Sequence, residues 1–239
     1  MLYFFDGTKE GFLTAFVRAY TDENAWLTSK KTQLVLGQEL IFAQTNAQTA
    51  KKCLERLCTF DKKASYELDT LLRSGMEEHE QIAFRYFRYM AQKKRPVHNE
   101  LAVSAVFSAN ECMAKIGKEI HRFHGFIRFM ETASGALYAP FAPDNDICDL
   151  LTAHFVARLP EYPFVLHDVT RKKAAVYDGK SVFTAPLSEA DVLLSADEKS
   201  WQALWKRYYA AVNIPCRERL KQMRGYMPTR YHPFLTERN

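Results

Sequence analysis

The chain has 239 residues, 47% hydrophobic and 26% charged, with a formal net charge of +5. That balance is ordinary for a globular protein large enough to bury a real core, in one large domain or two small ones. No apolar run approaches the ~20 residues of a membrane span, and the opening MLYFFDGTKEG lacks the basic start of a signal peptide, so a cytoplasmic protein without membrane association is expected.

The elements follow in order. Leu2–Phe5 is a short apolar run before Asp6-Gly7-Thr8, a turn that can cap a helix. Phe12, Leu13, Phe16 and Val17 then fall at helical spacing within Glu10–Tyr20. Residues 21–38 are polar and irregular, with a short strand expected at Leu34–Leu36 and another at Gln38–Ala43. Thr45 or Asn46 caps a helix through Cys58, and further helices are expected over Lys63–Arg73, Glu77–Lys94 and Glu100–Arg122.

The pattern changes at Phe123. Phe123–Glu131 alternates as a strand, Ala133-Ser134-Gly135 turns, and Ala136–Phe141 returns as its partner. Asp144 can cap a helix from Asn145 to Leu159; Phe164–Asp168, Ala174–Tyr177 and Ser181–Phe183 read as strands, the last two joined at Asp178-Gly179. From Leu187 the chain is helical, interrupted by Pro215, Pro228 and Pro233. This order predicts an α+β fold: a helical block over 45–122, a mostly antiparallel sheet with a covering helix over 123–186, and a basic helical tail over 187–239. We expect a single interwoven domain over 1–239, with the first strand joining the later sheet.

The five cysteines, Cys53, Cys58, Cys112, Cys148 and Cys216, are odd in number and scattered, which points to reduced thiols. They lack the paired spacing of a zinc ribbon and the close triplet of an iron–sulfur radical enzyme. A chain without metal or cofactor is expected.

Charge is concentrated at the end. Trp201–Asn239 holds eight Lys and Arg against two Glu, leaving the remainder close to neutral. Trp201, Trp205, Tyr208, Tyr209, Tyr226, Tyr231 and Phe234 are interleaved with these cations. Cations can meet phosphates while flat rings stack on bases. Trp201, Leu204, Trp205 and Tyr208 share a helical face and read as core anchors. The ligand-facing candidates are therefore the edge Arg217, Arg219, Lys221 and Arg224, and an extended Pro228–Pro233 segment presenting Arg230 and Tyr231.

A second polar cluster runs from Glu119 to Glu131. On a strand, His124 and Arg128 would share a face that could meet phosphate and base. His121, Arg128 and Asp168 are candidates for catalysis; His154 reads as a core or boundary histidine. No nucleophile elbow, phosphate loop or dinucleotide fingerprint is present.

Several of these segments resemble a bacterial family of probable DNA metabolism proteins, built on a domain of unknown function. They are Tyr3-Phe4-Phe5-Asp6-Gly7-Thr8 with Gly11-Phe12-Leu13, the central Glu119-x-His121-Arg122-Phe123-x-Gly125-Phe126-x-Arg128-Phe129, and Tyr138-Ala139-x-x-x-Pro143-x-x-Asp146-Ile147. Trp205-x-x-Tyr208, Asn213-Ile214-x-x-Arg217 and Met227-Pro228-x-Arg230-Tyr231 continue the likeness, which spans nearly the whole chain. The resemblance implies association with a radical SAM protein of suspected DNA-repair role; some relatives also carry a fused uracil-DNA-glycosylase-like domain. It implies no catalytic residues.

Three readings follow. The first is an accessory protein that binds DNA beside the radical SAM partner. The second is an enzyme acting on a damaged base or nucleotide through His121, Arg128 and Asp168. The third is a protein–protein adaptor that uses its aromatic C-terminus.

Overall fold

The computed structural model describes residues 1–30, 39–214 and 219–238, without the side chains of Leu220 and Arg224. The strand expected at Leu34–Leu36 lies outside the described residues. The fold is α+β, with helices beside two separate sheets. The chain divides into two compact units, Met1–Ile116 and Gly117–Asn239. No helix among the described residues is long and apolar enough to cross a membrane.

The first unit is built around β1 (Leu2–Phe4), which pairs in parallel with β2 (Trp26–Thr28) on one side and β3 (Leu40–Phe42) on the other. The N-terminal strand therefore centres its own three-stranded sheet, correcting the expectation that it joins the later one. Parallel pairing needs a crossover, and α1 (Lys9–Ala19) supplies the one between β1 and β2. Thr8 caps α1 by accepting from Gly11 N, and Asp6 accepts from Thr8 and Thr45. A Cβ at position 11 would lie 2.1 Å from Asp6 Oδ1, which explains the glycine there.

α2 (Ala47–Phe60) starts at the Asn46 cap and is followed by α3 (Ala64–Leu72) and α4 (His79–Lys93). Phe12, Phe16, Leu27, Leu57, Leu68, Leu71, Phe84 and Phe87 are buried in this unit. The buried Gln81 amide accepts from Leu27 N and donates to Ala25 O, completing the hydrogen bonding on the free side of β2.

α5 (Ser104–Phe126) contains the boundary between the units. The strand expected over Phe123–Glu131 is thus helix as far as Phe126, and only Met130–Glu131 at its end is strand. Residues 119, 122, 123, 126 and 127 recur at three- and four-residue steps, and that period prevails over the period of two.

The second unit holds a five-stranded sheet in the order β4-β5-β6-β7-β8. The strands are β4 (Met130–Glu131), β5 (Leu137–Phe141), β6 (Phe164–Asp168), β7 (Lys173–Tyr177) and β8 (Val182–Pro186). All its ladders are antiparallel except β5–β6, which is parallel across a crossover containing α6 (Thr152–Arg158). The helix expected from Asn145 begins later, with a 3-10 turn at Asp149–Leu151 ahead of α6. Asp144 and Asn145 instead donate their backbone N–H groups to the Glu119 carboxylate, which holds the chain out of helical geometry. Phe129, Phe155, Phe164 and Tyr177 form an aromatic cluster beneath the sheet.

Candidate nucleic-acid interface

The C-terminal segment contains α7 (Glu198–Val212), α8 (Leu220–Tyr226) and a 3-10 helix over Thr229–Phe234. α7 is rooted at its start, where buried Glu198 accepts from Glu131 N at 2.8 Å and from Gln202 Nε2 at 2.8 Å. Beyond that residue the helix is largely exposed. Trp201, Leu204 and Tyr208 are 59%, 54% and 56% accessible, correcting the expectation that this stripe packs into the core. Lys199, Lys206 and Arg207 are exposed on the same helix, as are Arg219, Lys221 and Tyr226 at α8.

Trp205 is the member of the stripe tied down by a hydrogen bond among the described residues. Its indole Nε1 donates to Glu237 Oε2 at 2.8 Å, and the Arg128 guanidinium lies 5.4 Å from its ring centre. Arg128 also pairs with Glu237 Oε1 at 2.7 Å and donates to Gly125 O at 2.8 Å, capping the end of α5. Burial alone would raise the Glu237 pKa, but the hydrogen bonds from Arg128 and Trp205 outweigh it and hold the carboxyl below its ordinary value.

Between this anchor and the sheet runs an open groove of about 390 Å³, lined in part by Arg128, Phe129, Leu137, Trp201, Gln202 and Trp205. It places the exposed Trp201 indole beside Phe129, while Glu131 and Glu198 also line it and Arg128 is committed to Glu237, so the groove suits a flat ring better than a phosphate.

The Pro228–Pro233 segment is not extended but wound into the 3-10 helix, and Tyr231 is only 1% exposed. Its ring packs 4.6 Å from Phe123 and 6.0 Å from Phe126, centre to centre. Arg230 pairs with Asp144 and lies 3.5 Å from Glu119. Buried Glu119 gathers the surroundings, accepting from Asp144 N and Asn145 N at 2.9 Å each and from Asn145 Nδ2 at 2.6 Å. Tyr231 cannot stack on a base here, and Arg230 is held by two carboxylates.

The candidate catalytic residues do not converge through any described contact. His121 is exposed on α5, Arg128 belongs to the Glu237 anchor, and Asp168 accepts from Thr170 N and pairs with Arg171 at 3.1 Å. His124 is helical rather than strand-borne, with its ring stacked on His154 at 4.1 Å. Burial, with His154 and His121 nearby, lowers its pKa. His167 is also structural: its Nε2 donates to Leu187 O at 3.0 Å, and its Nδ1 is hydrogen-bonded to Tyr138 Oη at 2.6 Å. Burial pushes the Cys53 and Cys148 thiols up to about 11, so neither is a ready nucleophile. Arg217 lies outside the described residues, as does the side chain of Arg224.

Sequence reasoning missed Glu119 and Glu237, the two carboxylates that decide which cations are available. Both were acidic residues within basic, aromatic surroundings, and Glu119 also opened the central motif of the family resemblance.

A family model described as a domain of unknown function, DUF4130, matches residues 77–237. The chain belongs to this family. The match takes in all of the second unit's sheet, the Glu119 network and α7. No curated protein matches the chain, and no solved structure does.

Proposed function

We propose that this DUF4130 protein binds nucleic acid, DNA in particular, through the exposed face of α7 and the start of α8, as an accessory in DNA metabolism or repair. The observation that carries the reading is a surface helix whose tryptophan, leucine and tyrosine stand in water among exposed cations. Large exposed apolar faces in folded proteins mark interaction sites. Interleaved Lys and Arg favour a polyanion with accessible rings over a purely apolar partner. In this reading Lys206, Arg207, Arg219 and Lys221 meet phosphates, while Trp201 and Tyr208 stack on unpaired bases.

The partnership with a radical SAM protein rests on the family resemblance. The exposed stripe also suits an adaptor docked on that enzyme, and the two roles are separable. Direct DNA binding falls steeply with salt; a mainly apolar docking surface does not. His121, Arg128 and Asp168 share no contact among the described residues, so they lend the enzyme reading no support.

The test is fluorescence anisotropy on single- and double-stranded oligonucleotides across a salt series, with and without the radical SAM partner. The proposal predicts tighter binding to single strands. Log affinity should fall with log salt by about 0.7 for each phosphate contacted. Binding without a salt slope, or unchanged after alanine replacement of Lys206, Arg207, Arg219 and Lys221, contradicts it.

A further inference from the structure

The first unit contains a group of polar side chains with no part in the proposed interface. Asp61 caps the C-terminal end of α2, Glu67 lies in the first turn of α3, and His98 follows α4. One ligand-type atom from each lies within 4.8 Å of the other two.

Two of their atoms, Asp61 Oδ2 and His98 Nδ1, have no hydrogen-bond partner among the described residues. Asp61 is only 7% exposed; its Oδ1 accepts from Lys63 N at 2.9 Å, but its buried Oδ2 accepts no hydrogen bond. His98 Nδ1 is buried with no hydrogen-bond partner although its ring is 36% exposed. The two atoms lie 3.8 Å apart, within ion-pair reach of a protonated imidazole but beyond a hydrogen bond. Glu67 is 5% exposed and receives Tyr86 Oη on Oε2 at 2.8 Å.

Two buried carboxylates beside an imidazole, with Asp61 Oδ2 and His98 Nδ1 making no hydrogen bond among the described residues, form a costly arrangement. Each would be satisfied by one cation between them. Zinc–oxygen and zinc–nitrogen bonds of about 2.0–2.2 Å put ligands on one ion roughly 3–4 Å apart, so closure needs a shift of about an ångström. The Tyr86 bond to Glu67 is the kind of outer contact that orients a metal-binding carboxylate. On the opposite side, the His98 carbonyl accepts from Asn110 Nδ2 at 3.0 Å, fixing the loop that carries the imidazole.

The geometry points to a divalent-metal site formed by Asp61, Glu67 and His98, taking zinc or a similar first-row ion. One imidazole and two carboxylates are borderline-to-hard donors, which suit zinc or manganese better than copper(I). The three ligands join the end of α2, α3 and the segment after α4, leaving room for water on the half-exposed His98 side. Cysteine spacing, on which the expectation of a metal-free chain rested, cannot detect such a site. It also stands independently of nucleic-acid binding.

The experiment is isothermal titration of zinc chloride and manganese chloride into the full chain after chelator treatment, with Cys53→Ser and Cys58→Ser introduced to remove the α2 thiols. The inference predicts one equivalent of zinc bound with Kd of about 10 µM or tighter, reversal by EDTA, and a raised melting temperature. Cobalt(II) should give d–d bands without thiolate charge transfer. Asp61→Asn and His98→Ala should each weaken binding by more than about 100-fold, beyond the 10–100-fold expected for an outer contact, and Tyr86→Phe by about 10-fold. His98 is half-exposed, so its variant should retain the wild-type circular dichroism and serves if Asp61→Asn fails to fold. No zinc binding at about 1 mM metal, a thiolate cobalt spectrum, or full affinity in folded His98→Ala overturns the inference.

Discussion

Two stretches of the second unit carry the same mixture of cations and rings, yet the fold treats them in opposite ways. Around Arg230 and Tyr231 the ring is sealed against Phe123, while the guanidinium meets Glu119 and Asp144. Along α7, Trp201 and Tyr208 stand more than half exposed, and among the described residues no carboxylate pairs with Lys206 or Arg207. The difference lies in the carboxylates. Where a buried acid is close by, a cation–aromatic pair becomes structure; where none is, the same chemistry remains available to a ligand.

The largest effects should come from the sealed region. Tyr231→Ala removes a buried ring from between two phenylalanines and should destabilise the second unit by about 3–5 kcal/mol. Glu119→Ala leaves Asp144 N and Asn145 N without their acceptor and Arg230 with one carboxylate fewer, for a similar loss of about 3–5 kcal/mol. Urea denaturation checks both. A loss below about 1 kcal/mol for either would make the network incidental.

The α7 anchor should come next. Glu237→Gln weakens the Arg128 pair and should cost about 1.5–3 kcal/mol in urea. Its pH dependence has a definite sign. A carboxyl with a depressed folded pKa contributes stability that is fully present above the ordinary value of 4.5 and lost as pH falls through the lower folded value. Tryptophan fluorescence should therefore report loosening of Trp205 below about pH 4.5 in the wild type, and this acid transition should be absent from Glu237→Gln.

The smallest effect on stability should be that of Trp201→Ala, within about 0.5 kcal/mol, because an exposed side chain gives up little on truncation. The same substitution should weaken single-strand binding by about 1–3 kcal/mol, as expected for the loss of one stacked base. A change large in affinity and negligible in stability would separate the two regions most sharply.

Much of the fold was legible from local signals. The Asn46 cap, the Asp178-Gly179 turn and the β6–β7 strands carry their chemistry within a few residues, and the structure places them as expected. The errors came where distant partners decide. Glu119 pulls Asp144 and Asn145 out of a helix, and Phe123 draws Tyr231 inward, contacts spanning 25 or more residues. The α7 stripe misled for the opposite reason: helical periodicity says that its rings share a face, but not whether anything covers that face. Arg128 and Arg230 were visible as cations, whereas their engagement by Glu237 and Glu119 was not.

The most direct test compares single-strand binding by two folded variants across a salt series. One replaces Lys206, Arg207, Arg219 and Lys221 with alanine; the other replaces Arg230 with lysine, retaining a cation for Glu119 and Asp144. The account predicts that the first loses most of its affinity and reduces the salt slope by up to about 3, while the second binds as wild type. Wild-type binding by the first, or a loss confined to Arg230→Lys, would contradict it.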